Sequence, residues 1–75
     1  MKKNKYYLIR ENNELERVIA YIETYKELLS YLNLKEGSFY TTKKYGNFKV
    51  NGQSVYIERY INDKIIWTTK NEKKS

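Results

Sequence analysis

TYKELLSYLNLKEGSFYTTKKY, Thr24 to Tyr45, reads as two short helices joined by a tight turn. Thr24 stands three residues before Glu27, the spacing of a capping box, in which the two side chains satisfy backbone N–H groups at a helix start. Leu28, Leu29 and Leu32 then supply an apolar stripe at helical spacing. The helix is expected to stop at Asn33, which tolerates left-handed backbone, with Leu34 tucked under the turn. Ser38 is expected to cap a second helix that carries Phe39, Tyr40, Thr41, Lys43 and Lys44 and ends at Gly46. With Phe39 turned inward, the polar and basic positions of that helix face outward.

Upstream, Tyr6 to Arg10 (YYLIR) runs into the polar cluster Glu11 to Glu14, which suits a strand entering a turn. The second arm of that hairpin is expected at Arg17 to Ile22 (RVIAYI). A different reading competes with it, because Leu15, Val18, Ile22, Tyr25, Leu29 and Leu32 also follow a 3-4-3-4-3 spacing. On that reading residues 13–33 form one long helix, with Asn13 and Glu16 at its N-terminus. The β-branched pair Val18-Ile19 and the local cap at Thr24 favour a strand followed by a helix. Downstream, Asn51-Gly52 between extended segments signals a type I′ hairpin turn, whose central residues both need positive φ. Asn62-Asp63 offers a second reversal before Lys64 to Thr69 (KIIWTT). The expected fold is therefore α+β: a short N-terminal hairpin, a helix-turn-helix, and a C-terminal antiparallel β-meander placed like a wing.

A chain of 75 residues supports one domain, and a chain of this size buries only about 60% of its unfolded surface. Without cysteine or histidine, disulfides and the usual zinc and iron sites are excluded, and no metal or other cofactor is expected. Nine tyrosines, two phenylalanines and one tryptophan supply large buried areas instead. The net charge of +6 is unevenly spread. Residues 1–37 carry seven Lys/Arg against six Glu, or +1, and residues 38–75 carry eight against three Asp/Glu, or +5. A positive second half attracts polyanions, of which nucleic acid is the commonest inside a cell. Basic composition also arises without any nucleic-acid role, so charge alone does not decide the matter. No apolar run approaches the roughly 20 residues that span a bilayer, and MKKNKYYLIREN breaks into charge before a signal-peptide core. A cytoplasmic protein without membrane contact is expected, with mobile ends at about residues 1–4 and 71–75.

The second helix and the hairpin after it form the leading candidate site. A helix in the major groove reads base edges with polar side chains, while cations on neighbouring elements hold phosphates. Ser38, Tyr40, Thr41 and Lys44 are expected to face the groove, and Lys43, Lys49 and Arg59 to hold the backbone. Lys43 and Lys44 also have a plainer role, since cations are favoured at a helix C-terminus. Tyr40, Tyr45, Tyr56 and Tyr60 can stack on unpaired bases, but a short sheet also uses such rings as cross-strand pairs. Trp67 reads as a core plug. The nine carboxylates show no metal-ligand spacing and no Gly-rich loop follows a strand, so the chain is not expected to be an enzyme.

The runs YLIRENNELERVIAYIETYKELLSYLNLKEGSFY and KKYGNFKVNGQSVYIERYI resemble small helix-turn-helix proteins of phages and mobile elements of low-GC Gram-positive bacteria, over residues 6–61. Thr24, Lys26, Glu27, Tyr31, Leu32, Ser38, Phe39 and Tyr40 sit on the pattern; Asn33 stands where glycine is common, and Thr42-Lys43 where an apolar residue is. The resemblance implies a DNA-binding protein, with the later hairpin similar to the wing of small excisionases. Few contacts from so small a domain make a homodimer on a repeated duplex site the expected mode. The alternative is a protein-binding inhibitor of a host enzyme or a defence nuclease, anti-CRISPR-like, using its tyrosine-rich sheet.

Overall fold

A computed structural model describes residues 4–46 and 48–70. The ends expected to be mobile lie outside these residues except for Asn4, whose carbonyl accepts the Asn62 N–H at 2.7 Å. The element order is β1 (Lys5–Glu11), β2 (Val18–Ile22), α1 (Tyr25–Leu32), α2 (Glu36–Tyr45), β3 (Phe48–Val50), β4 (Gln53–Ile61) and β5 (Lys64–Thr68). None of the described helices is long and apolar enough to cross a membrane.

Local signals in the sequence produce the expected boundaries at several points. Thr24 caps α1, its side chain accepting the Glu27 N–H at 3.1 Å. Asn33 ends α1 in the left-handed region at φ 59°, and the Leu34 N–H returns to the Leu29 carbonyl at 3.0 Å. Gly46 ends α2 at φ 71°. Asn51-Gly52 (φ 51° and 81°) and Asn62-Asp63 (φ 53° and 65°) both turn tightly, with positive φ at both central residues.

The long-helix alternative fails at a single residue. Asn13 does accept the N–H groups of Leu15 (2.9 Å) and Glu16 (3.1 Å), as a helix cap would. Glu16 then takes φ 51°, which a right-handed helix cannot continue, and the chain enters β2. Ser38 does not cap α2. The N-cap is Lys35 instead, so the helix begins at Glu36 and has no side-chain cap.

The expected architecture of hairpin, helix-turn-helix and wing-like meander is corrected by the sheet. All five strands join one antiparallel sheet in the order β2-β1-β4-β3, with β5 also on β4. Strands hold 44% of the described residues, so the helices sit on a sheet rather than carrying strands as an appendage. β1 runs along β4 from Lys5↔Ile61 to Glu11↔Val55. That occupies one edge of β4, so β3 (Phe48↔Val55 to Val50↔Gln53) and β5 (Glu58↔Thr68 to Ile61↔Lys64) share the other edge end to end. A meander would have placed β3 and β5 on opposite edges. The N-terminal hairpin itself is present, as β1 with β2.

Alternation along the strands separates two faces. Tyr7, Ile9, Ile22, Phe48, Val55 and Ile57 form the core with Leu28, Leu32 and Phe39 of the helices. Register skips at Ile9/Arg10 and Arg59/Tyr60 leave Ile19 and Ile66 as the extra residues of β2 and β5. Such bulges twist free edges away from further pairing. Beyond β5, Thr69 stands in for a strand partner: its N–H donates to the Ile57 carbonyl and its Oγ1 accepts the Ile57 N–H, both at 2.9 Å.

Two stability predictions follow from these contacts. Thr69→Val leaves the Ile57 N–H buried without an acceptor and should cost about 1–3 kcal/mol in thermal or urea unfolding, whereas Thr69→Ser should retain most of the stability. Burial pushes the Tyr25 phenol up to about 12 from 10.0, with the neighbouring Tyr40 acting in the same direction. The unfolded chain therefore releases that proton near pH 10 while the folded chain holds it, so stability contributed by Tyr25 is lost as pH rises through this window. Denaturant melts between pH 9 and 12 should show a shallower alkaline loss for Tyr25→Phe than for the parent.

Candidate nucleic-acid interface

Helix α2 is fastened at one residue. Phe39 is 1% exposed, meets Tyr25 edge-on at 5.4 Å between ring centroids, and packs against Phe48 at 5.5 Å. At 3.6 residues per turn, the flank opposite Phe39 carries Tyr40, Thr41, Lys44 and Tyr45. All four are exposed, Tyr40 at 57% and Tyr45 at 64%. The Thr41 hydroxyl donates to the Gly37 carbonyl at 3.2 Å, which leaves its oxygen lone pairs outward. Ser38 is exposed in the first turn. The N-terminal half of the helix carries Glu36, and its last turn carries Lys43 and Lys44, so the open flank becomes more positive toward Gly46.

Lys43 turns the other way. Its Nζ lies 3.8 Å from the centre of the Trp67 ring, Trp67 tilts against Tyr7 at 6.2 Å, and the Arg59 guanidinium carbon sits 4.3 Å above Tyr7. Two cations thus bracket an aromatic pair on the helix side of the sheet. Cation–π contacts of this kind hold a long side chain in one place while its remaining N–H groups stay available. Trp67 is accordingly half-buried and packed against the core, as expected of a plug.

Of the seven residues singled out in the sequence, Tyr40, Thr41 and Lys44 share one flank of α2. Lys43 and Arg59 gather beside it on Trp67 and Tyr7. Lys49 does not join them: it pairs with Ser54 between the core positions Phe48 and Val50, and so points to the opposite side of the sheet. Hairpin register, invisible in a three-residue strand, decides this.

That opposite side holds a feature the sequence reading did not assemble. Tyr21, Tyr6 and Tyr60 stack in a row with centroids 5.0 Å apart at each step and interplanar angles of 26° and 7°. The Tyr6 hydroxyl donates to Asp63 at 3.3 Å and the Tyr60 hydroxyl to Glu58 at 3.0 Å. Glu58 also takes Arg10 at 2.8 Å, so the middle of this face is neutral. Tyr6, in the middle of the row, has both ring faces covered, whereas Tyr60 at its end has one face against Tyr6 and its hydroxyl on Glu58. Tyr56, at 2% exposure, is removed as a platform for bases by burial. Of the four tyrosines considered for stacking, Tyr40 and Tyr45 are exposed and Tyr60 is half-buried. The cross-strand alternation of Tyr6 and Tyr60 was the available signal for the row, but it needed the β1–β4 register to be read.

Elsewhere charges are paired for structural ends. Arg17 clamps Glu11 with two contacts, at 3.0 and 3.1 Å, and holds its carboxyl below the usual range. Lys70 pairs with Glu16 across the end of the sheet. No cluster of acidic side chains able to hold a metal ion occurs among the described residues. Comparison with protein-family models, with curated proteins and with solved structures finds no match for this chain.

Proposed function

We propose that this chain is a non-enzymatic DNA-binding protein, of the kind carried by phages and mobile elements, that applies the open flank of α2 to duplex DNA. The observation that carries this reading is the division of α2 into an anchored side and an open one. Phe39 alone is buried, and Tyr40, Thr41 and Lys44 are presented together. A ten-residue helix is about 15 Å long, enough to lie across a major groove about 12 Å wide. Threonine and tyrosine supply hydrogen-bonding groups for base edges, and Lys44, Lys43 and Arg59 supply cations for the flanking phosphates. Because β3, β4 and β5 belong to the one sheet, α2 meets the duplex alone, without a wing. Two copies on a repeated site would supply the contacts that one such helix lacks.

The open sheet face favours a second reading. Ile19 and Ile65 are exposed beside the stacked row and Tyr21 is exposed within it, and a neutral, tyrosine-rich surface suits a protein partner such as a host enzyme or a defence nuclease. The two readings place activity on opposite sides of one sheet, which makes them separable.

Gel shift with 20–30 base-pair duplexes at 50 mM salt should show binding whose affinity falls steeply by 200 mM. Lys43→Glu with Lys44→Glu should abolish it, and Lys44→Glu alone should weaken it about tenfold or more, whereas Tyr21→Ser should leave it unchanged. Absence of any duplex binding at 50 mM salt removes the DNA reading. Capture of a partner protein that is lost with Tyr21→Ser and kept with the double glutamate variant would establish the second.

A further inference from the structure

Helix α2 orders ten residues around one buried side chain. Phe39 is 1% exposed, and every other residue of Glu36–Tyr45 is exposed or half-buried. The shorter α1 is held more firmly: Leu28 and Leu32 are buried, Leu29 and the following Leu34 pack against the core, and Thr24 caps the first turn. Ordering a residue costs backbone entropy whether or not its side chain is buried, so α2 has little to set against that cost.

Local preference does not make up the difference. Lys35 at the N-cap gives the first turn no side-chain acceptor. The helix also contains Gly37, Ser38, Thr41 and Thr42, all weaker helix formers than alanine. The Thr41 hydroxyl donates back to the Gly37 carbonyl at 3.2 Å, a contact that loosens a helix rather than strengthening it. At both ends the backbone bonds stay within the helical segments, from the Leu34 N–H to the Leu29 carbonyl and from the Gly46 N–H to the Thr42 carbonyl. Beyond Phe39, the Lys43 contact with the Trp67 ring, 3.8 Å from its centre, is a surface attachment that an opening can break.

We infer that α2 opens as a unit while the five-stranded sheet stays folded, and that a bound duplex holds it closed. The second clause rests on the proposed DNA reading; the first does not. Elements that engage ligands are drawn from the least stable parts of a fold. A duplex applied to Tyr40, Thr41 and Lys44 meets them together only on the closed helix, so its binding lowers the open population by mass action.

Hydrogen exchange on the full chain tests both clauses. Amides of α2 should exchange at least about tenfold faster than the buried Ile57 N–H of β4, and low urea that speeds Ile57 should leave α2 unchanged, because a local opening exposes little surface. Ile9→Val, which removes a buried methylene from the central strand β1, should speed exchange at Ile57 about two- to tenfold and leave α2 unchanged. Gly37→Ala should slow α2 about two- to fivefold, since a Cβ there meets nothing within 4 Å. A 20 base-pair duplex at ten times its dissociation constant should slow α2 about tenfold. If α2 follows Ile57 in urea and in Ile9→Val, the helix opens only with the whole chain and the inference is overturned, while duplex binding in the gel shift would leave the DNA reading standing. A duplex that binds without slowing α2 overturns the second clause. Local opening of α2 in a chain that binds no duplex supports the first clause and removes the DNA reading.

Discussion

The structure depends on the pairing of β1 with β4. Seven residue pairs, from Lys5↔Ile61 to Glu11↔Val55, bring β1 against a strand distant in sequence and make the two central strands. Closing so large a loop carries an entropic cost before any contact forms, and the return comes from the core that the register aligns. Ile9 opposite Ile57 and Tyr7 opposite Arg59 fall on the helix side, with Tyr6 opposite Tyr60 on the other. A slip of one residue would exchange the two sets, exposing Ile9 and Ile57 and burying the stacked tyrosines.

From that register follow three different uses of one residue type. Tyr7 joins the core, Tyr6, Tyr21 and Tyr60 stack across strands, and Tyr40 and Tyr45 are left on the open flank of a helix. The cations divide similarly. Arg10 and Arg17 are spent on Glu58 and Glu11, Arg59 and Lys43 lie on aromatic rings, and Lys44 remains exposed beside them. Of the second half's cations, Lys43, Lys44 and Arg59 are brought together on the helix side of the sheet, because α2 and β4 meet there.

Turn chemistry was legible wherever it depended on a few adjacent residues. Thr24, Asn33, Gly46 and the two Asn-led reversals each act through their own φ and ψ or through hydrogen bonds spanning three to five residues. Asn13 shows how the same logic misleads: its side chain makes the cap contacts of a helix that Glu16 then refuses. Ser38 misleads differently, because the turn at Asn33 and Leu34 places the chain to start α2 at Glu36 before the serine is reached. In the candidate site, the grouping of Tyr40, Thr41 and Lys44 was readable from helical period once Phe39 was taken as the buried position. The departure of Lys49 was not, since it depends on hairpin register.

By itself, then, the amino-acid sequence determined where this chain turns, where its helices begin or end to within three residues, and which half is positive. Those properties arise from local backbone preference and from composition. Tertiary structure alone decided that the strands form one sheet, that β3 and β5 lie along the same edge of β4, and that Lys49 faces away from α2. Strand partners are chosen by which pairing buries the most apolar surface across the whole chain, and that competition among distant segments leaves no mark in any short stretch of residues.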